Sequence, residues 1–153
     1  YASEENSTLH ISRLTDDYLA PAGDYVRVFP GRFMEAPALF KHEGRYYLVA
    51  SGCTGWAPNA ARSAVADSIW GPWTELGNPA VGPGAELTFE SQSTFVLPVR
   101  GRPGAFVFMA DGWRPKNAID GRYVWLPVLF RNGRVEIEWR DEWDLGAFDR
   151  PGR

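Results

Sequence analysis

Two stretches of this chain repeat each other at a fixed distance, and that repeat restricts the fold more than any other feature. "EAPALFKHEGR", starting at Glu35, aligns with "QSTFVLPVRGR", starting at Gln92, an offset of 57 residues. Further on, "GWAPNAA" at Gly55 aligns with "GWRPKNA" at Gly112, again 57 positions apart. A shared offset at both ends marks two copies of one structural unit. Between the anchors the first turn is longer in the second copy ("RGRPGA" against "HEGRY"), and the loop that follows is shorter.

Each copy reads as the same succession of strands. An apolar strand (Ala38 to Lys41; Phe95 to Val99) meets a Gly-containing turn, and a second strand follows as "YYLVAS" or "AFVFMA". Beyond the GWxP loop come a third strand, "ARSAVA" or "RYVWLPVLF", and a fourth, "GPWTEL" or "GRVEIEW". Four antiparallel strands in roughly 50 to 60 residues make one propeller blade, a unit that buries its faces only against neighbouring blades. The first 30 or so residues fit a truncated third copy: "YAS" as the end of its second strand, "TLHISRL" as its third and "DYVRVF" as its fourth.

The expected fold is therefore an all-β propeller with about three four-stranded blades: an incomplete blade over 1–33, a blade over 34–90, and a blade with a closing segment over 91–153. Propellers have at least four blades, so part of a larger ring is expected. Composition agrees, since 14% aromatics with 16 glycines and 12 prolines suit short strands and tight turns.

A net charge of -3 and a pI near 5.4 offer no broad basic surface, which argues against nucleic acid and anionic membranes as partners. No apolar run approaches the ~20 residues of a membrane span. The opening "YASEENS" has no apolar segment of the signal-peptide kind. Cys53, the only cysteine, and the two histidines, His10 and His42, stand in no zinc-ligand spacing and read as structural or exposed.

In a propeller the first strand of each blade lines the central channel, and the starts of those strands converge on one pocket. Glu35 and Gln92 hold this equivalent position in successive copies. A carboxyl at a channel mouth, flanked by Phe33, Met34 and Pro37, is partly desolvated, which favours its protonated form and suits a general acid. The bland alternative is an ion pair with Arg32 or Arg62. Gln92 can hold a hydroxyl or a water but is a weak base, so its residue type alone makes it a positioning group or a structural hydrogen-bonder within "ESQST". Trp56 and Trp113, on equivalent loops, offer flat faces for sugar stacking or wedges between blades. Thr54, Asn59 and Asp111 place hydroxyl-matching groups beside them. The remaining tryptophans, Trp70, Trp73, Trp125, Trp139 and Trp143, are expected to pack between blades.

These residues resemble a known family. The run from "EAPALFKHEGRYYLVASGCTGWAPNAARSAVADSIWGPWTELGNP" through "SQST" and "RYVWLPVLF" to "EWDL" is similar to glycoside hydrolase family 43, above all to its exo-β-1,3-galactanase-like branch, over nearly the whole chain. The resemblance implies a five-bladed propeller and an inverting glycosidase acting on plant-type polysaccharide. It makes Glu35, before its "AP" segment, the general acid. It makes Gln92, in "SQST", the residue at the base position, acting through its imidic acid tautomer. It implies an oligosaccharide or polysaccharide partner and an extracellular or periplasmic setting. No cofactor is expected; calcium occurs in the axial channel of some members, but no ligand cluster for it stands out here.

Two blades that normally precede this region carry a further acidic residue in the family. Without them the chain is expected to be inactive or nearly so, and to self-associate through open blade faces. Two readings without catalysis stay open. A carbohydrate-binding propeller would use Glu35 and Gln92 only to hold hydroxyls, and a protein-interaction propeller would present a rim in place of a tryptophan-lined pocket.

Overall fold

The computed structural model describes residues 1–149. The last four residues of the 91–153 segment lie outside the described residues. Three antiparallel sheets follow one another along the chain. The first joins Ala2–Ser3 (β1), Thr8–Leu14 (β2) and Pro21–Val28 (β3) in the order β1-β2-β3. The second joins Met34–His42 (β4), Arg45–Gly52 (β5), Arg62–Ala66 (β6) and Thr74–Gly77 (β7) in simple up-and-down order. The third is built from Gln92–Pro98 (β9), Phe106–Gly112 (β10), Arg122–Arg131 (β11) and Arg134–Glu138 (β12), with Ala80–Val81 (β8) added in parallel beside β12. Successive up-and-down sheets that pack face to face are the blades of a propeller.

Tight turns set the registers. Glu43 and Gly44, with φ of 47° and 82°, connect β4 to β5, and Asn132 and Gly133, with φ of 52° and 72°, connect β11 to β12. Two consecutive left-handed residues make the two-residue hairpin turn whose twist matches that of the strands. The pairs His42↔Arg45 and Arg131↔Arg134 close these hairpins.

Strand β5 shows how one sequence serves two interfaces. Its alternate residues Tyr47 and Val49 join the core shared with the third sheet, while Leu48 and Ala50 join the core shared with the first. That is why "YYLVAS" is apolar throughout instead of alternating: both faces of the blade are covered. The first of these cores centres on Phe40, Val96, Phe108, Leu126 and Ile137, the second on Leu9, Val28, Met34 and Ala64. Each of the larger of these side chains contributes about 1.5–3 kcal/mol through burial.

The tryptophans depart from expectation. Trp73 does wedge two blades, meeting Phe29 edge-on at 6.2 Å. Trp70, Trp125 and Trp139 are instead 42%, 52% and 47% exposed. Trp125 lies on the side of β11 opposite the buried Val124 and Leu126, on the face of the last sheet that also carries the exposed Phe95 and Leu97. Trp143 packs on Phe148 and donates its indole N–H to the carbonyl of Trp125 at 2.8 Å.

Candidate active site

Glu35 sits near the start of β4, opposite Ser51 of β5, and the ladder slips between Glu35 and Ala38. Two non-glycine residues around it are left-handed: Phe33 and Ala36, both with φ of 51°. Such a bulge bends the strand and re-aims a side chain, and each left-handed residue costs about 1–2 kcal/mol. The "MEAP" stretch thus spends backbone energy to set the direction of one half-buried carboxyl. The ion-pair alternative does not form. Arg32 pairs with Glu75 through two bonds of 2.8 and 2.9 Å, Arg62 donates to the Arg32 carbonyl, and Glu35 makes no salt bridge among the described residues.

Gln92 opens β9 and follows a second strained segment. Thr88, Phe89 and Glu90 are consecutively left-handed, with φ of 50°, 58° and 58°. Thr88 is buried and pins this turn to the neighbouring blade: its hydroxyl donates to the Asn59 carbonyl and accepts from the Ala61 N–H, both at 2.7 Å. The Ser91 hydroxyl donates to the Thr88 carbonyl at 2.6 Å, and that of Ser93 donates to the Ala36 carbonyl at 2.7 Å. Gln92 is therefore held from both sides along the backbone.

Its side chain is held as well. Gln92 Nε2 donates to Glu35 Oε1 at 3.1 Å and to Ser51 Oγ at 2.7 Å, while the Ser51 hydroxyl donates to the Glu35 carbonyl oxygen at 3.4 Å. The two residues singled out by the repeat are thus in direct contact. An inverting pair flanks a sugar and a water at roughly 6.5 to 9.5 Å; in the arrangement observed no sugar ring fits between these groups.

A cavity of about 540 Å³ opens beside them, lined by Ser51, Trp56, Asn59, Gln92, Asp111 and Trp113 among others. Glu35 contacts the lining residues Gln92 and Ser51 without belonging to the wall itself. Trp56 and Trp113 lean on one another at 5.2 Å and 37°, yet stay 73% and 44% exposed, so their faces remain available. Asp111 is exposed and stands opposite Gln92 in the ladder, as Ser51 stands opposite Glu35. Glu90 and Arg114 form an ion pair of 3.2 Å in the same wall.

Thr54 and Asn59 are occupied locally. The Thr54 hydroxyl donates to the Ala57 carbonyl at 2.6 Å and is not among the lining residues. Asn59 accepts from the Gly52 N–H at 2.8 Å and donates to the Gly52 carbonyl at 3.0 Å and to Thr54 Oγ1 at 2.6 Å. These bonds shape the loop that presents Trp56.

Three residues at the site escaped the sequence reading. Ser51 ends a strand that reads only as core; its signal was its place across the hairpin from Glu35. Thr88 lies in a linker with no repeat partner. Cys53 reads from sequence as structural or exposed; its thiol donates to the Asn6 carbonyl at 4.0 Å, and burial, then the charge of Glu35, push its pKa up. Among the described residues no group of three or more His, Cys, Asp or Glu could hold a metal ion. Nor, among the described residues, is any helix long and apolar enough to cross a membrane.

No family model matches the sequence. The GH43 β-1,3-galactosidase BT3683, solved with galactodeoxynojirimycin, superposes with a TM-score of 0.92 at 53% identity, over 95% of this chain and 42% of its own. The likeness is to glycoside hydrolase family 43, in its exo-β-1,3-galactanase-like branch. The exo-β-1,3-galactanase of Phanerochaete chrysosporium, solved with β-1,3-galactotriose, superposes at 0.79 with 35% identity, over 90% of this chain and 31% of its own. A curated relative, the β-D-galactofuranosidase xynD of Aspergillus niger, is 32% identical over 80 residues, 47% of this chain and 23% of its own. This chain thus spans less than half the length of these relatives. Family 43 structures of this kind are five-bladed propellers, of which the three sheets described here form about three blades.

Proposed function

We propose that this chain is part of a glycosidase that removes galactose from the end of β-1,3-galactan with inversion at the anomeric carbon. The observation that carries the reading is the pairing of Glu35 and Gln92 at one end of the channel, beside a cavity flanked by two exposed tryptophan faces. The galactan-directed relatives supply the substrate. Glu35 protonates the leaving oxygen. Trp56 and Trp113 stack on the sugar, and Asp111 accepts from its hydroxyls. Gln92 places or activates the water, and to do so its carboxamide swings away from Glu35 and opens the carboxyl to the cavity. A polymeric substrate of this kind puts the protein outside the cell or in the periplasm.

The chain alone is inactive or nearly so, because three blades leave the pocket wall opposite Glu35 unbuilt. It self-associates through open faces such as that of Phe95, Leu97 and Trp125. The test is sugar release from β-1,3-galactan, with arabinan and xylan as controls, by this chain and by a five-bladed protein that carries it. Release of galactose from galactan by the five-bladed protein supports the reading. Binding of sugars without any release would replace it with a carbohydrate-binding propeller.

A further inference from the structure

We infer that Ser51 is the positioning residue for Gln92, the pivot on which the carboxamide turns when a sugar enters; the inference rests on the function proposed above. Gln92 Nε2 has two protons and two acceptors, Glu35 Oε1 at 3.1 Å and Ser51 Oγ at 2.7 Å. Both acceptors lie on the nitrogen side, the orientation in which the amide donates to an ionised Glu35 and to Ser51 together. Among the described residues the carboxamide oxygen has no hydrogen-bond partner, and Gln92 lines the cavity.

The two bonds differ in what catalysis asks of them. The bond to Glu35 blocks the space a sugar needs, and it engages the very group that must be free to give up a proton. It is the longer of the two and opens on binding. The bond to Ser51 is short, lies in a position only 5% exposed, and starts from a strand whose neighbours are fully buried. Ser51 in turn donates to the main chain of Glu35, not to its carboxyl, so it keeps its own place when the carboxyl moves. With one N–H still fixed on Ser51, the carboxamide rotates about that contact and carries its oxygen toward the water. Without Ser51 the same rotation has no fixed end, and the water position is spread over many orientations.

The experiment is a double-mutant cycle in the five-bladed protein that carries this chain, with β-1,3-galactan as substrate. Ser51→Ala is expected to lower kcat roughly 10- to 100-fold with KM within about twofold, and to cost nothing further in a Gln92→Ala background. Ser51→Thr, which keeps the hydroxyl, restores kcat. A kcat unchanged in Ser51→Ala, or an equal loss in both backgrounds, overturns the inference, since a purely structural serine would act regardless of Gln92. A readout independent of turnover is the pair of Gln92 side-chain amide proton signals in glutamine-labelled protein, identified by their loss in Gln92→Leu. One of the two moves in Ser51→Ala if the bond exists, and neither moves if it does not. An inactive wild-type protein whose signal nevertheless responds would place the failure in the proposed function and not in the Ser51 contact.

Discussion

Gln92 Nε2 lies 3.1 Å from Glu35 Oε1, between the first strands of two successive sheets and 57 residues apart in the chain. One repeat position has diverged into a carboxyl and a carboxamide that touch. In this resting arrangement the amide N–H occupies Oε1 of the carboxyl. In the function proposed above, opening the contact would supply the room for a sugar and for the attacking water.

Inversion follows if water comes from the Gln92 side while Glu35 protonates the leaving group. The first product from β-1,3-galactan, followed by proton NMR before mutarotation, is expected to be α-galactose. Accumulation of β-galactose first would mean retention, which requires a nucleophile that a carboxamide does not provide.

Much of this arrangement was legible in the sequence because it is written in repeats. The offset of 57 located both copies of the inner strand, the GWxP loops and the pair Glu35 and Gln92. Hydrophobic runs such as "YYLVAS" located the central strands, since β5 is buried on both faces. Features without a repeat partner were not legible. Thr88 works from a linker, and Ser51 works through a contact between blades that strand patterning does not encode. Thr54 and Asn59 looked like free polar groups, but a short loop consumes its own hydrogen-bonding capacity when the backbone must be turned tightly. Exposed tryptophans such as Trp125 were read as packing because aromatic content alone does not tell which face of a sheet is covered.

Thr88 should be required for the left-handed turn ahead of Gln92. Thr88→Val keeps the shape and removes the hydroxyl, leaving the Ala61 N–H and the Asn59 carbonyl without a partner inside the fold. Each buried group left unpaired costs about 1–3 kcal/mol. Chemical denaturation should show a loss in that range or above it, and a five-bladed protein carrying the substitution should show reduced turnover. A variant as stable as the parent would show that the turn stands without this pin.

Glu4 gives the first sheet an acid-sensitive element. Its side-chain hydrogen bonds with Arg27, then with His10, lower its pKa from 4.5 to about 2. A carboxyl whose folded pKa is depressed adds stability above its unfolded pKa, and that contribution disappears as the pH falls through the folded one. Thermal midpoints measured between pH 5 and about 2 should therefore fall less steeply for Glu4→Gln than for the parent, with the parent more stable at the upper end. Parallel curves would show that this exposed cluster is screened out.

Cys53 should be a slow thiol. Burial and the nearby Glu35 charge push its pKa up, so little thiolate exists near neutrality. Iodoacetamide should label it more slowly than it labels glutathione at the same pH, and in a five-bladed protein that carries this chain the adduct, placed near Glu35, should block turnover. Rapid labelling at neutral pH, or full activity of the labelled protein, would contradict this placement.

The most direct test of the account is Glu35→Gln in a five-bladed protein that carries this chain, measured for galactose release from β-1,3-galactan and for galactose binding. The account predicts that hydrolysis falls by roughly 100- to 10,000-fold while binding stays within a few-fold, because the amide keeps the shape of the acid and loses only its proton. Hydrolysis retained within a few-fold, or binding lost in parallel with it, would show that Glu35 is not the acid and would contradict the account.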